Sequence, residues 1–347
     1  MVVKAGREFL AIPGPTTMPD EVLQAGDASS GPRHLFRYDG AADGWPAARS
    51  QPAVRDQGAF VSSTSPTAMA HGKAVLSNVL SRGDKILVLE SGRFALGWGS
   101  AASAMGVEVE VLKGDIRRAV RPAEVEARLR RDTDRRIKAI VVGQIDTASG
   151  VYNDIRAIGR AIKAAGHDAL FMVDAVASLG CMPFEMDAWG VDVAMSASQK
   201  GLMTPPGLGF VAVNNRARCT RPQICAHPAG TGPSATASSH YRKYSGTAPV
   251  HLLFARRQAL DMLFAEGLDN TFLRHRLLAE TVRRAVSAWS EGQVLSFNIA
   301  DPAERADTVT TVRTADGYDP TLLQGYCKDK SGVVLGTGIG DLAGRAF

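Results

Sequence analysis

At 347 residues, 45% of them apolar, the chain has room for about two domains and a substantial core, which excludes a disordered or fibrous polypeptide. The formal net charge of +5 arises from scattered basic residues. The densest group, Arg130, Arg131, Arg135 and Arg136, is interrupted by Asp132 and Asp134 and reads as a solvated helix end and loop, so no nucleic-acid partner is expected. No stretch approaches the ~18 apolar residues of a membrane span, and Met1-Val2-Val3-Lys4 opens no apolar signal segment. Cys181, Cys219, Cys225 and Cys327 lack metal-type spacing and read as small buried hydrophobes, so the expectation is a cytoplasmic protein with no membrane or metal partner.

From 85 to 214, short β-branched runs alternate with helical periodicity, the pattern of repeated strand–helix–strand units. Residues 85–89 predict a strand, 94–105 a small-residue helix and 107–112 a strand. Pro122 starts a helix over 122–131 with Val125 and Leu129 on its apolar face. A strong strand follows at 137–142. Asn153 or Asp154 can then cap a helix carrying Ile155, Ile158 and Ile162, which Gly166 ends. The apolar runs 169–174 and 191–197 complete a mostly parallel α/β sheet, with ligand-binding loops at the strand carboxyl ends.

Beyond Asn214 the rhythm changes. Residues 218–246, rich in Pro, Gly, Ser, Thr and Ala, read as a long connection. Helices are expected over 250–266, ending near Gly267, and over 271–289; then a strand at 308–313, a short helix at 320–327 and a strand at 333–335 suit a small α+β domain. Gly336-Thr337-Gly338-Ile339-Gly340 has the look of a dinucleotide loop but lies too near the end of the chain for a βαβ unit, and reads as a turn.

Two residues carry the chemistry. Asp174 closes one buried run and Lys200 follows the next, in Ser198-Gln199-Lys200, held by the turn Gly201-Leu202-Met203-Thr204-Pro205-Pro206-Gly207. Taken singly, a strand-end Asp is often a cap and a Lys after a strand is often solvated. At the ends of adjacent strands the pair suits pyridoxal phosphate (PLP): the amine condenses with the cofactor aldehyde, and the carboxylate keeps the pyridine nitrogen protonated.

The motifs Val173-Asp174-Ala175-Val176-Ala177-Ser178-Leu179 and Ser198-Gln199-Lys200-Gly201-Leu202-Met203, with 9–16, 83–214 and, more loosely, 256–275, resemble the class V aminotransferases of PLP fold type I, in the serine-glyoxylate and alanine-glyoxylate branch. The resemblance implies a PLP enzyme acting on small amino acids and 2-oxo acids as a homodimer, with Lys200 as the Schiff-base lysine and Asp174 as the partner of the pyridine nitrogen. It further places Gln199 near the cofactor phosphate, Phe94 on the ring face, Thr147 near the phenolic oxygen and Thr247 at the phosphate of the neighbouring subunit. An ordinary core Phe and a turn-closing Thr are the plain alternatives for Phe94 and Thr147. The implied layout is an N-terminal segment (1–20), a PLP-binding large domain (21–250) and a small C-terminal domain (251–347) cut short.

Three features depart from the family pattern. Residues 61–70 lack the glycines of its phosphate loop, and 33–57 show no period. The chain stops at Phe347, before the arginine that clamps the substrate carboxylate, and Arg345 is not assigned that role. These departures leave open a catalytically impaired remnant of the fold, and a desulfurase is a third reading.

Overall fold

The computed structural model describes residues 8–27, 59–63, 75–219 and 249–347; the aperiodic stretch 33–57, most of the long connection and Thr247 lie outside these residues. At the centre is a seven-stranded sheet. In chain order its strands are β2 (Ala59–Ser63), β3 (Lys85–Leu89), β4 (Glu108–Leu112), β5 (Ile137–Gly143), β8 (Leu170–Asp174), β9 (Val193–Ala197) and β10 (Leu208–Val213). In space they run β2-β10-β9-β8-β5-β3-β4, while β6 (Ile145–Asp146) and β7 (Val151–Tyr152) pair antiparallel with each other outside this sheet. β4, β3, β5, β8 and β9 are mutually parallel, and β10 is antiparallel to both β9 and β2. The mostly parallel α/β sheet expected from the sequence is present.

The period-2 geometry of a strand explains how this sheet is covered on both faces. Leu87, Leu89, Ile140, Val142, Phe171 and Val173 point one way, onto α3 (Pro122–Arg130) and α4 (Ile155–Ala164). Ile86, Val88, Ala139, Val141 and Met172 point the other way, onto α2 (Arg93–Ala104) and the helical residues 75–79. Because both faces are buried, these strands read as continuous apolar runs, and each fully buried Ile or Leu contributes about 1.5–3 kcal/mol. α4 shows its local logic plainly. Ile155, Ile158 and Ile162 form its buried stripe, and Asp154 caps it, its carboxylate accepting from Ala157 N at 2.8 Å. The alternative cap, Asn153, is instead fully buried and donates to Gly143 O and Ser91 Oγ.

Outside the sheet, α1 (Asp20–Asp27) packs Val22 on Ala255 and Ala259 of α6 (Val250–Glu266), which leads at Gly267 into α7 (Leu268–Trp289). A short helix, α5 (Asn215–Cys219), follows β10. β11 (Leu295–Phe297) and β12 (Val312–Thr314) form an antiparallel pair, so the strand expected over 308–313 begins only at its last two residues. α8 (Pro320–Ser331) extends past the expected 320–327, to Gly332 in a left-handed conformation. β13 (Val333–Leu335) pairs in parallel with an unexpected β1 (Phe9–Ala11). Residues 336–340 form a loop, as read. Cys181 is buried, whereas Cys327 on α8 is only partly so, a departure from the reading of all four cysteines as core.

One polar cluster staples the sheet edge. On β4, Glu110 is gripped by both Arg128 Nε and Nη2 (the latter at 2.7 Å from Oε2), and Lys85 Nζ on β3 lies 2.9 Å from the same Oε2. The Arg128 hydrogen bonds, ahead of those from Lys85 and against the cost of burial, hold the Glu110 carboxyl at about 2 rather than 4.5. A carboxyl with a depressed folded-state pKa stabilises above its unfolded value and loses that contribution as pH falls through the folded one. Glu110→Gln should therefore cost roughly 1–2 kcal/mol at pH 7, discounted for partial exposure. Urea unfolding of both proteins checks this: the gap between them should narrow from pH 7 to pH 3, and a gap that stays constant would assign the loss to packing instead.

Candidate active site

The carboxyl ends of parallel β5, β8 and β9 converge on one edge of the sheet, where the chain leaves each strand for a loop. β8 ends on Asp174, paired in register with Gly143 of β5 and Met195 of β9. β9 ends at Ala197, and the turn that follows is built by Ser198. Its N–H donates to Leu208 O, its hydroxyl donates to Pro205 O at 2.6 Å, and its carbonyl accepts from Thr204 N. Lys200 rides on that turn, its carbonyl bound by Met203 N.

A cavity of about 280 Å³ opens here, lined among others by Asp174, Lys200, Gln199, Phe94, Thr147 and Gly14. Five of the six residues singled out in the sequence thus share one pocket. Phe94 is 38% exposed, so it is a wall and not a core residue, and Thr147 is nearly buried beside it. The phosphate-loop stretch divides: Val61, Ser62 and Ser63 lie in β2, paired with β10, and 64–70 lie outside the described residues.

The electrostatics of the pair are opposed and complementary. Burial pushes the Asp174 carboxyl above its ordinary range and Asp146 adds to the rise, while Val176 N, Trp98 and Lys200 pull it down. Its Oδ1 accepts from Val176 N at 2.9 Å and its Oδ2 from Trp98 Nε1 at 3.1 Å. Burial likewise lowers Lys200, against the pull of Asp174, so its amine is neutral over more of the pH range than an exposed lysine. Lys200 Nζ donates to Pro13 O. Gly14 is required at this approach: it sits at φ +129, and a Cβ there would stand 2.8 Å from Lys200 Cε. Thr16 N donates to Gln199 O at 3.0 Å, which locks the segment onto the lysine turn.

Sequence reading missed three contributors. Gly14 was visible only within a matching stretch. Trp98 lies one helical turn after Phe94, so the i, i+4 spacing was available as a signal. Asp146, just before Thr147, is buried and raised by its burial. It caps α2 from outside, Oδ2 accepting from Phe94 N at 2.8 Å and Oδ1 from Ala148 N at 2.9 Å. No side chain caps α2 at Gly92, where a Cβ would meet the Asp146 carboxylate at 2.4 Å.

These residues suit PLP. A part-buried carboxylate with two neutral donors gains most from a cation aimed at it, as a pyridinium N–H would be. A lysine whose charge burial disfavours suits an aldehyde, and an exposed aromatic wall suits a flat heteroaromatic ring. A sheet of this order with such a pocket defines an α/β enzyme of the aminotransferase type. Residues 54–340 match the family model for class-V aminotransferases, and the chain belongs to that family. It is 34% identical to the serine–glyoxylate aminotransferase of Methylorubrum extorquens, over 99% of this chain and 86% of that one. With the L-aspartate–glyoxylate aminotransferase of Paracoccus denitrificans it shares 32% identity, over 97% and 84%. Among solved structures, the alanine–glyoxylate aminotransferase of Nostoc sp. superposes with a TM-score of 0.80 at 25% identity, covering 100% of this chain and 90% of that one.

Proposed function

We propose that the chain is a PLP-dependent transaminase that moves the amino group of serine or alanine to glyoxylate. The observation that carries this reading is the meeting of Asp174, Lys200, Phe94 and Thr147 in one pocket. Bound PLP supplies an aldehyde and an electron-accepting ring. The protein's part is to hold and move charge around it. Asp174 would hold a proton on the ring nitrogen, and Phe94 would pack against the ring face. Thr147 would serve the phenolic oxygen and Gln199 the phosphate. Lys200 would anchor the cofactor and, once released, its amine, whose charge burial disfavours, would carry the proton from substrate Cα.

The same reading makes the chain a homodimer with Thr247 reaching the neighbouring phosphate, divides it near residue 250 into a large and a small domain, and assigns it to the cytoplasm. Among the described residues no helix is long and apolar enough to cross a membrane. Desulfuration needs a reactive thiol at the site; burial pushes Cys181 up to about 12, which disfavours its thiolate, and Cys327, partly exposed on α8, does not line the pocket.

The test is a spectrum and an assay. The purified protein with PLP should show a cofactor band that serine or alanine shifts and glyoxylate restores. Glycine should accumulate with the matching oxo acid. A band that no amino acid shifts would identify an impaired remnant, and absence of any band would remove PLP from the account.

A further inference from the structure

We propose that Trp98 is a positioning residue for this reaction, acting through the Asp174 carboxylate that its indole N–H holds. The inference rests on the transaminase reading for its consequence, and on geometry for its substance. Trp98 Nε1 donates to Asp174 Oδ2 at 3.1 Å, while Val176 N donates to Oδ1 at 2.9 Å. With one donor on each oxygen, rotation of the carboxylate about its Cβ–Cγ bond breaks a part-buried hydrogen bond, so its plane is held before a ligand arrives.

Trp98 is well placed for this. Its ring is almost wholly buried, packed on the sheet face made by Ile86, Val88 and Met172. It shares α2 with Phe94, and Asp146 grips the first turn of that helix through the Phe94 and Ala95 N–H groups. One rigid helix therefore sets both the wall of the pocket and the orientation of its carboxylate. The charged groups facing Asp174 are Asp146, just beyond β5, and Lys200, beyond β9; the first opposes its ionisation and the second favours it. The indole N–H is a donor that never titrates. It favours the charged form at every pH and can offset Asp146 while Lys200 is neutral.

The experiment begins with the cofactor-free protein, labelled with [4-13C]aspartate, in which the Asp174 resonance is assigned by its loss in Asp174→Asn. Trp98→Phe keeps an aromatic ring and removes the donor, so the Asp174 titration midpoint should move to higher pH, and PLP affinity should fall about tenfold. With an amino acid donor and glyoxylate present, kcat should fall with little change in KM, because substrate contacts are untouched. If Trp98→Phe fails to fold, global replacement of tryptophan by benzothienylalanine, with sulfur in place of N–H, provides the same comparison. An unchanged Asp174 midpoint in the folded variant would overturn the proposal. A wild-type protein that binds no PLP would overturn the transaminase reading instead, and the carboxylate titration would still decide the role of Trp98.

Discussion

Lys200→Ala should leave a folded protein that carries no covalent cofactor and turns over at least about 1,000-fold more slowly, because anchoring and proton transfer are lost together. The fold's stake in this amine is small. Burial works against its charge, and its Nζ contact is to the Pro13 carbonyl of the N-terminal segment. Among the described residues no second lysine lines the cavity to take its place. Borohydride reduction followed by peptide mapping gives the direct check: the wild type should carry a phosphopyridoxyl mark on Lys200, and the variant none. A mark elsewhere in Lys200→Ala, or retained turnover, would take the assignment away from this residue.

Asp174→Asn should keep the cofactor and lose most of the rate, by about 100-fold or more, because a neutral amide cannot stabilise a protonated ring nitrogen. The substitution is nearly isosteric, so the strand end and its register with Gly143 and Met195 should persist. Steady-state transamination with PLP saturation measured alongside separates the two effects. Near-normal turnover at full occupancy would remove Asp174 from its role.

The sheet was legible because its inner strands β3, β5, β8 and β9 are largely buried on both faces, which writes near-continuous apolar runs into the sequence, while β4 at the edge, partly exposed, alternates Glu and Val. The Asp174 and Lys200 loops were legible for the same reason, since a charged residue at the end of such a run stands out. β1 and β11 are three residues each and exposed or partly exposed, so no local period marks them, and the equally short β12 was expected a few residues too early. The long-range contacts of the site were hidden likewise. Trp98 reaches Asp174 across 76 positions and Asp146 reaches Phe94 across 52, and only the crossover geometry of the sheet brings them together. Asp174 could be flagged as a chemical residue from its position; that its carboxylate is held by an indole could not.

The N-terminal segment lies on the lysine turn and is itself held by β13, Phe9 pairing with Val333 and Ala11 with Leu335. In a chain made from its amino end at about 5–20 residues per second, the first of these strands leaves the ribosome on the order of tens of seconds before its partner. During that interval the Gly14 turn has no β13 to brace it, and Phe9 and Leu10, largely exposed even in the finished molecule, stay uncovered. The β1–β13 brace behind the Gly14 turn is therefore among the last contacts that biosynthesis completes, whereas the Thr16 bonds to the lysine turn can form before it.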